Sequence, residues 1–112
     1  MTHLLKFSAN LKWLFTELSV EQRYDAAAAA GFKAAEFAWP YEHPVSFFRQ
    51  LLANSGLQQV LINTPVGAAG SVKASGQACH PDSVAAFIAD IEKAIEYASG
   101  LSCRTIHLQS GI

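Results

Sequence analysis

Residues 24–39 read YDAAAAAGFKAAEFAW: a small-residue helical stretch, Gly31, a large apolar Phe32, then a short strand-like run. The same phrase returns as LLANSGLQQVLINTP at 51–65, around Gly56 and Leu57. It returns again as IEYASGLSCRTIHLQS at 95–110, around Gly100 and Leu101. A glycine behind a helix reads as its C′ residue, free to take φ > 0 without a Cβ clash. A repeated helix–Gly–strand order predicts β/α units on a parallel sheet.

Working outward, Leu5 to Asn10 reads as the first strand, and Ser19-Val-Glu-Gln22 as a capping box opening a helix over Val20 to Ala30. The second strand spans Ala34 to Trp39 and stops at Pro40. Pro44 then starts a helix that buries Phe47, Phe48, Leu51 and Leu52 and ends at Gly56. Gln59 to Asn63 forms the third strand, closed by Pro65. A Gly/Ala/Ser-rich stretch from Val66 to Gln77 is long for a βα connection, which marks a functional or mobile loop. Pro81 or Ser83 opens the last helix, with Val84, Phe87, Ile88, Ile91, Ile95 and Ala98 on its predicted buried face. The fourth strand spans Thr105 to Gln109. A piece of a (β/α)8 barrel and a small doubly wound sheet both fit this order; a whole barrel takes about 250 residues.

Composition is that of a globular domain, with 112 residues, 51% of them hydrophobic and 15% charged. Net charge is −1, from 8 basic and 9 acidic residues without a basic cluster, so no nucleic-acid partner is expected. No apolar run is long enough to span a bilayer and no signal peptide is evident, which predicts a cytoplasmic chain with no membrane partner. Cys79 and Cys103 are expected to be free thiols. His3, His43, His80 and His107 show no ligand spacing, so no metal site is expected within this chain. His43 and His80, each before a proline, are expected to be exposed.

Strand parity carries the functional signal, because alternate side chains face opposite sides of a sheet. Asn10 shares a face with Ser8, and Glu36 lies opposite Phe37. Asn63 shares a face with Leu61, and His107 with Gln109. Each strand therefore turns polar toward its C-terminal end, where a doubly covered parallel strand would be apolar. Buried polar groups of this kind cost about 1–3 kcal/mol each unless hydrogen-bonded, so their convergence predicts a polar pocket. Any one of them could instead be a strand-end turn former or a satisfied interior side chain.

FSANLKWLFTE (Phe7 to Glu17), AAAAAGFKAAEFAWPYEHP (Ala26 to Pro44), LINTPVGAAG (Leu61 to Gly70) and AIEYASGLSCRTIHLQSG (Ala94 to Gly111) together resemble the hydroxypyruvate isomerase family. That family lies within the xylose-isomerase-like TIM barrels. The resemblance implies an α/β fold in which residues 1–112 supply the first half of one TIM-barrel domain, with four parallel strands and three helices. It implies an isomerase of the aldose–ketose type, interconverting hydroxypyruvate and tartronate semialdehyde, or a related small hydroxy-keto acid or sugar, through an enediolate. A divalent cation, Mg2+ or Mn2+, is expected in the full-length protein, with its ligands and the catalytic carboxylates outside this chain, which alone should be inactive. Asn10, Phe15, Glu36, Trp39, Tyr41, Asn63, His107 and Gln109 would then be pocket or supporting residues. Two departures set this sequence apart. PVGAAGSVKASG (Pro65 to Gly76) replaces the family's PxGDWAAGERG, and His80-Pro81-Asp82 replaces its PGR. Another barrel enzyme, such as a sugar epimerase or dehydratase, and a non-catalytic chain that forms a homo-oligomer are the alternatives.

Overall fold

The computed structural model describes residues 4–112, so Met1 to His3, including His3, lie outside the described residues. Four strands and three helices alternate. They are β1 (Ser8–Asn10), α1 (Val20–Ala29), β2 (Ala34–Glu36), α2 (Val45–Ser55), β3 (Gln58–Asn63), α3 (Val84–Gly100) and β4 (Ile106–His107). The strands form one sheet in the order β1-β2-β3-β4, every neighbouring pair parallel. Short 3-10 turns at Pro40–Glu42 and Pro81–Ser83 precede α2 and α3.

Three strands are shorter than predicted. β1 begins at Ser8, because its ladder starts only where Ser8 meets Ala34 at the head of β2. Leu4, Leu5 and Phe7 are exposed and unpaired instead. β2 ends at Glu36, where the chain turns toward Pro40, and β4 keeps only the two residues that face Ile62 and Asn63. Within β3, Val60 is an extra residue, since Ala35 pairs with Gln59 and Glu36 with Leu61. This bulge breaks simple alternation. Gln59 turns to the helix layer, where its Oε1 accepts the buried Tyr24 hydroxyl at 2.9 Å, while Leu61 and Asn63 face the opposite side.

The core lies between sheet and helices, built from Ala9, Ala35 and Ile62 of the strands against Tyr24, Ala27, Phe48, Tyr97 and Ala98. Phe48 is its centre: Phe37 and Tyr24 pack on it with ring centroids at 5.5 and 6.2 Å. Gln22 Oε1 accepts the Ser19 amide at 3.4 Å, so the predicted capping pair starts α1.

The helix ends correct the opening motif. Gly31 has φ 99 and follows α1 as a left-handed residue, with the Phe32 amide returning to Ala27 O at 3.1 Å. Gly100 does not do this; it is the last residue of α3, and Ser102 (φ 53) takes the left-handed position while the Cys103 amide returns to Ala98 O. Gly100 is small for another reason: a Cβ there would collide with Val45 Cγ1 of α2.

The face of α3 is also corrected. Of the predicted face, Ala98 is buried and Phe87 and Ile91 are half-buried, whereas Val84 (59% exposed), Ile88 (53%) and Ile95 (51%) look outward; Ala94 and Tyr97 are buried in their place. The periodicity has two apolar stripes, and the Tyr97 hydroxyl, donating to His43 O at 2.7 Å, selects the one that packs on α2. His43 and His80 are half-buried rather than exposed. His43 stacks on Phe47 at 4.1 Å, and His80 Nε2 is enclosed without a partner among the described residues.

Candidate functional site

Asn10, Glu36, Asn63 and His107 are each the last residue of their strand. The register sets Asn10 beside Glu36 and Asn63 beside His107, so the four polar groups stand in a row across the C-terminal edge of the sheet. They line an open cleft of about 250 Å³ together with Lys12, Trp13, Ala38, Trp39, Leu61 and Gln109. Of the eight residues named from the sequence, six border this cleft.

Phe15 and Tyr41 do not. Phe15, held at φ 60, packs against the core from the β1–α1 loop. Tyr41 lies in the layer behind the sheet, packed edge-on to Tyr97 at 5.0 Å, with its hydroxyl donating to Asn63 O. It supports the strand end without facing the cleft. Parity arguments apply only within strands, so they gave no orientation for these two loop residues.

Two hydrogen-bonded groups make up the row. Glu36 Oε2 accepts the Ser8 hydroxyl at 2.6 Å, and its Oε1 accepts Asn10 Nδ2 at 3.3 Å. Both carboxylate oxygens are thus engaged by the protein itself. Asn10 also accepts the Lys12 amide on its Oδ1 at 3.1 Å, so one side chain ties the carboxylate to the loop behind β1. At the other end, His107 Nδ1 lies 3.3 Å from Asn63 Oδ1 and 3.2 Å from Gln109 Nε2. A protonated Nδ1 donates to Asn63 and an unprotonated one accepts from Gln109, so the ring serves one amide at a time.

Thr64, which the sequence reading passed over, positions this second group. It is buried; its amide donates to His107 O and its Oγ1 accepts the Gln109 amide, both at 2.9 Å. A hydroxyl one residue beyond a strand was the available signal. Lys12, Trp13 and Ala38 were also missed, and they come from loops.

The long Val66–Gln77 connection is folded back on the β4 exit. Gly76 bridges Ser110 in antiparallel fashion, and the Cys79 amide donates to Ser110 O at 2.8 Å. Lys73 Nζ meets Asp82 Oδ2 at 3.2 Å, and that exposed contact lowers the Asp82 pKa. Among the described residues, no three His, Cys, Asp or Glu side chains converge to hold a metal ion, and no helix is long and apolar enough to cross a membrane.

Comparison with known proteins places this edge in context. A family model described as xylose isomerase-like TIM barrel matches residues 24–112. A 2-oxo-tetronate isomerase of Haemophilus influenzae is 41% identical over 107 residues, covering 96% of this chain and 41% of that protein. A human protein provisionally named hydroxypyruvate isomerase is 44% identical over 108 residues, covering 96% of this chain and 39% of its own. A crystal structure described as AP endonuclease, family 2, from Brucella melitensis superposes with TM-score 0.92 at 35% identity, over 97% of this chain and 42% of that one. The chain spans about two fifths of the length of the curated relatives it matches.

Proposed function

Because the chain belongs to the xylose isomerase-like TIM barrel family, we propose that its strand-end cleft is one wall of an isomerase active site. The substrate class is a small hydroxy-keto acid, such as hydroxypyruvate or a 2-oxo-tetronate, in line with the names of its relatives. The observation that carries this reading is the row of Asn10, Glu36, Asn63 and His107 at four consecutive strand ends. The C-terminal edge of barrel strands is where such enzymes build their sites.

In this reading the chain binds and orients, and proton transfer between adjacent carbons falls to residues beyond it. Among the described residues Glu36 is the carboxylate of the cleft, and with both oxygens occupied by Ser8 and Asn10 it serves as a fixed acceptor rather than a mobile base. His107 offers the substrate its second nitrogen while Nδ1 stays with Asn63 or Gln109. A divalent cation, Mg2+ or Mn2+, would polarise the substrate carbonyl. Its ligands would lie outside this chain. Residues 1–112 are then part of a single barrel domain, and by themselves turn over no hydroxypyruvate with either cation.

The test is a chimaera in which this chain replaces the matching two fifths of the Haemophilus isomerase. Isomerisation by the chimaera is expected; a folded but inactive chimaera, or turnover by the 112-residue chain alone, overturns the reading. Among the described residues the cleft contains a single cationic residue, Lys12, which supports a small-molecule substrate over nucleic acid. The two free cysteines, exposed Cys79 and buried Cys103, suit a cytoplasmic setting. A second reading, self-association, is favoured by the exposed Val84, Ile88 and Ile95 stripe on α3.

A further inference from the structure

We propose that Lys12, held over Trp39, is the carboxylate-recognising group of the cleft and selects acids over neutral hydroxy-carbonyl compounds. The proposal rests on the isomerase reading for its substrate class and on the following geometry for the residue.

Lys12 is exposed, yet its backbone is fixed on every side. Leu11 before it is fully buried, and Arg23 Nη1 donates to Leu11 O at 3.0 Å. The Lys12 amide is held by Asn10 Oδ1, and the amides of Trp13 and Leu14 both return to Asn10 O, at 3.1 and 2.9 Å. This tight turn starts at the last residue of β1 and sets Lys12 on the rim of the cleft, between it and a smaller hollow lined by Val20, Phe37, Trp39, Glu42 and His43. The ammonium lies 5.4 Å from the Trp39 ring centroid, a cation–π placement.

Lys12 also lacks an anionic partner. The ion pair among the described residues is Lys73 with Asp82, and no carboxylate lies within 4 Å of Lys12 Nζ. In the same cleft, both Glu36 oxygens already accept hydrogen bonds, from Ser8 and Asn10. Trp39, beside Lys12, has its Nε1–H buried with no acceptor among the described residues. A cation bordering the cleft without a carboxylate partner fits the oxygens of a small carboxylate. Neutral hydroxyl groups would leave the ammonium unanswered.

The test uses glycerate and glycerol, which differ at one carbon by a carboxylate in place of a hydroxymethyl group. Trp13 and Trp39 are the two tryptophans of the chain and both border the cleft, so their indole N–H resonances report binding directly. Glycerate is expected to shift the Trp39 resonance saturably and glycerol is not. Lys12→Met should weaken glycerate about tenfold, the loss of one charge-assisted contact, and Lys12→Arg should restore it. Equal shifts with both ligands, or an unchanged Lys12→Met titration, overturn the anion assignment and leave the isomerase reading intact. No shift with either ligand at tens of millimolar overturns the cleft as a ligand site, and the proposal with it. Lys12-dependent glycerate binding combined with an inactive chimaera removes the isomerase reading and leaves the subsite standing.

Discussion

The Ser8 hydroxyl donates to Glu36 Oε2 at 2.6 Å, joining β1 to β2 on the cleft side of the sheet. A hydrogen bond to a half-buried carboxylate contributes more than a neutral one, because the charge strengthens it and water replaces it poorly. Ser8→Ala should therefore cost about 1–3 kcal/mol. Glu36→Gln should cost a similar amount, since the amide sets a donor against Ser8 or Asn10. Urea unfolding with an unchanged slope and a lower midpoint is the expected result; an unshifted midpoint in both variants would show that this bond contributes nothing.

Tyr24 and Gln59 form the buried polar pair of the core, 2.9 Å apart. Tyr24→Phe leaves Gln59 Oε1 without its donor, and Gln59→Leu leaves the phenol without its acceptor, each at about 1–3 kcal/mol. The double variant removes both needs at once and should cost clearly less than the sum. Strict additivity in denaturant melts would mean the pair is not coupled.

Gly100 and Val45 set the approach of α3 to α2. Gly100→Ala adds a methyl group where Val45 Cγ1 already lies, so the helices must separate. A loss of about 1–3 kcal/mol is expected, the usual range for overpacking. Val45→Ala should recover part of it in the double variant. Elsewhere in a helix Gly→Ala is stabilising by about 1 kcal/mol, so the sign of the single change alone decides.

Burial raises the pKa of the Tyr24 and Tyr41 phenols well above the ordinary 10.0, and that of the Cys103 thiol above its ordinary 9.0. The unfolded chain releases these protons first, so unfolding gains free energy as pH rises. Their contribution to stability is full below about pH 9 and is lost progressively above it, most steeply beyond pH 10. Thermal melts from pH 7 to 11 should show this decline, and Tyr24→Phe should flatten it relative to the parent. A parent and variant with parallel profiles would rule out Tyr24 as a cause.

In the self-association reading, the exposed Val84, Ile88 and Ile95 on α3 would form the contact surface. Light scattering is expected to show mass rising with concentration, and Val84→Lys with Ile88→Lys to abolish the rise. A concentration-independent monomer in the parent would remove that reading.

What the residues determined locally was the alternation of strands and helices, the start of α1 at Ser19, and the polar character of each strand's last residue. These follow from backbone sterics and from side-chain periods of two and 3.6, which act over a few residues. What only the tertiary structure decided was longer in range. Helix α3 carries two apolar stripes, and contact with α2 through Tyr97 and Gly100 buries one of them. The Val60 bulge in β3 turns Gln59 to Tyr24 and Leu61 to the cleft. Lys12 and Thr64 gained their places because a loop folds back over one strand and a hydroxyl reaches across to the next. No periodicity encodes the choice of stripe, the bulge or the Thr64 contact, because each depends on a partner far away along the chain, while Lys12 is set by the tight turn on Asn10.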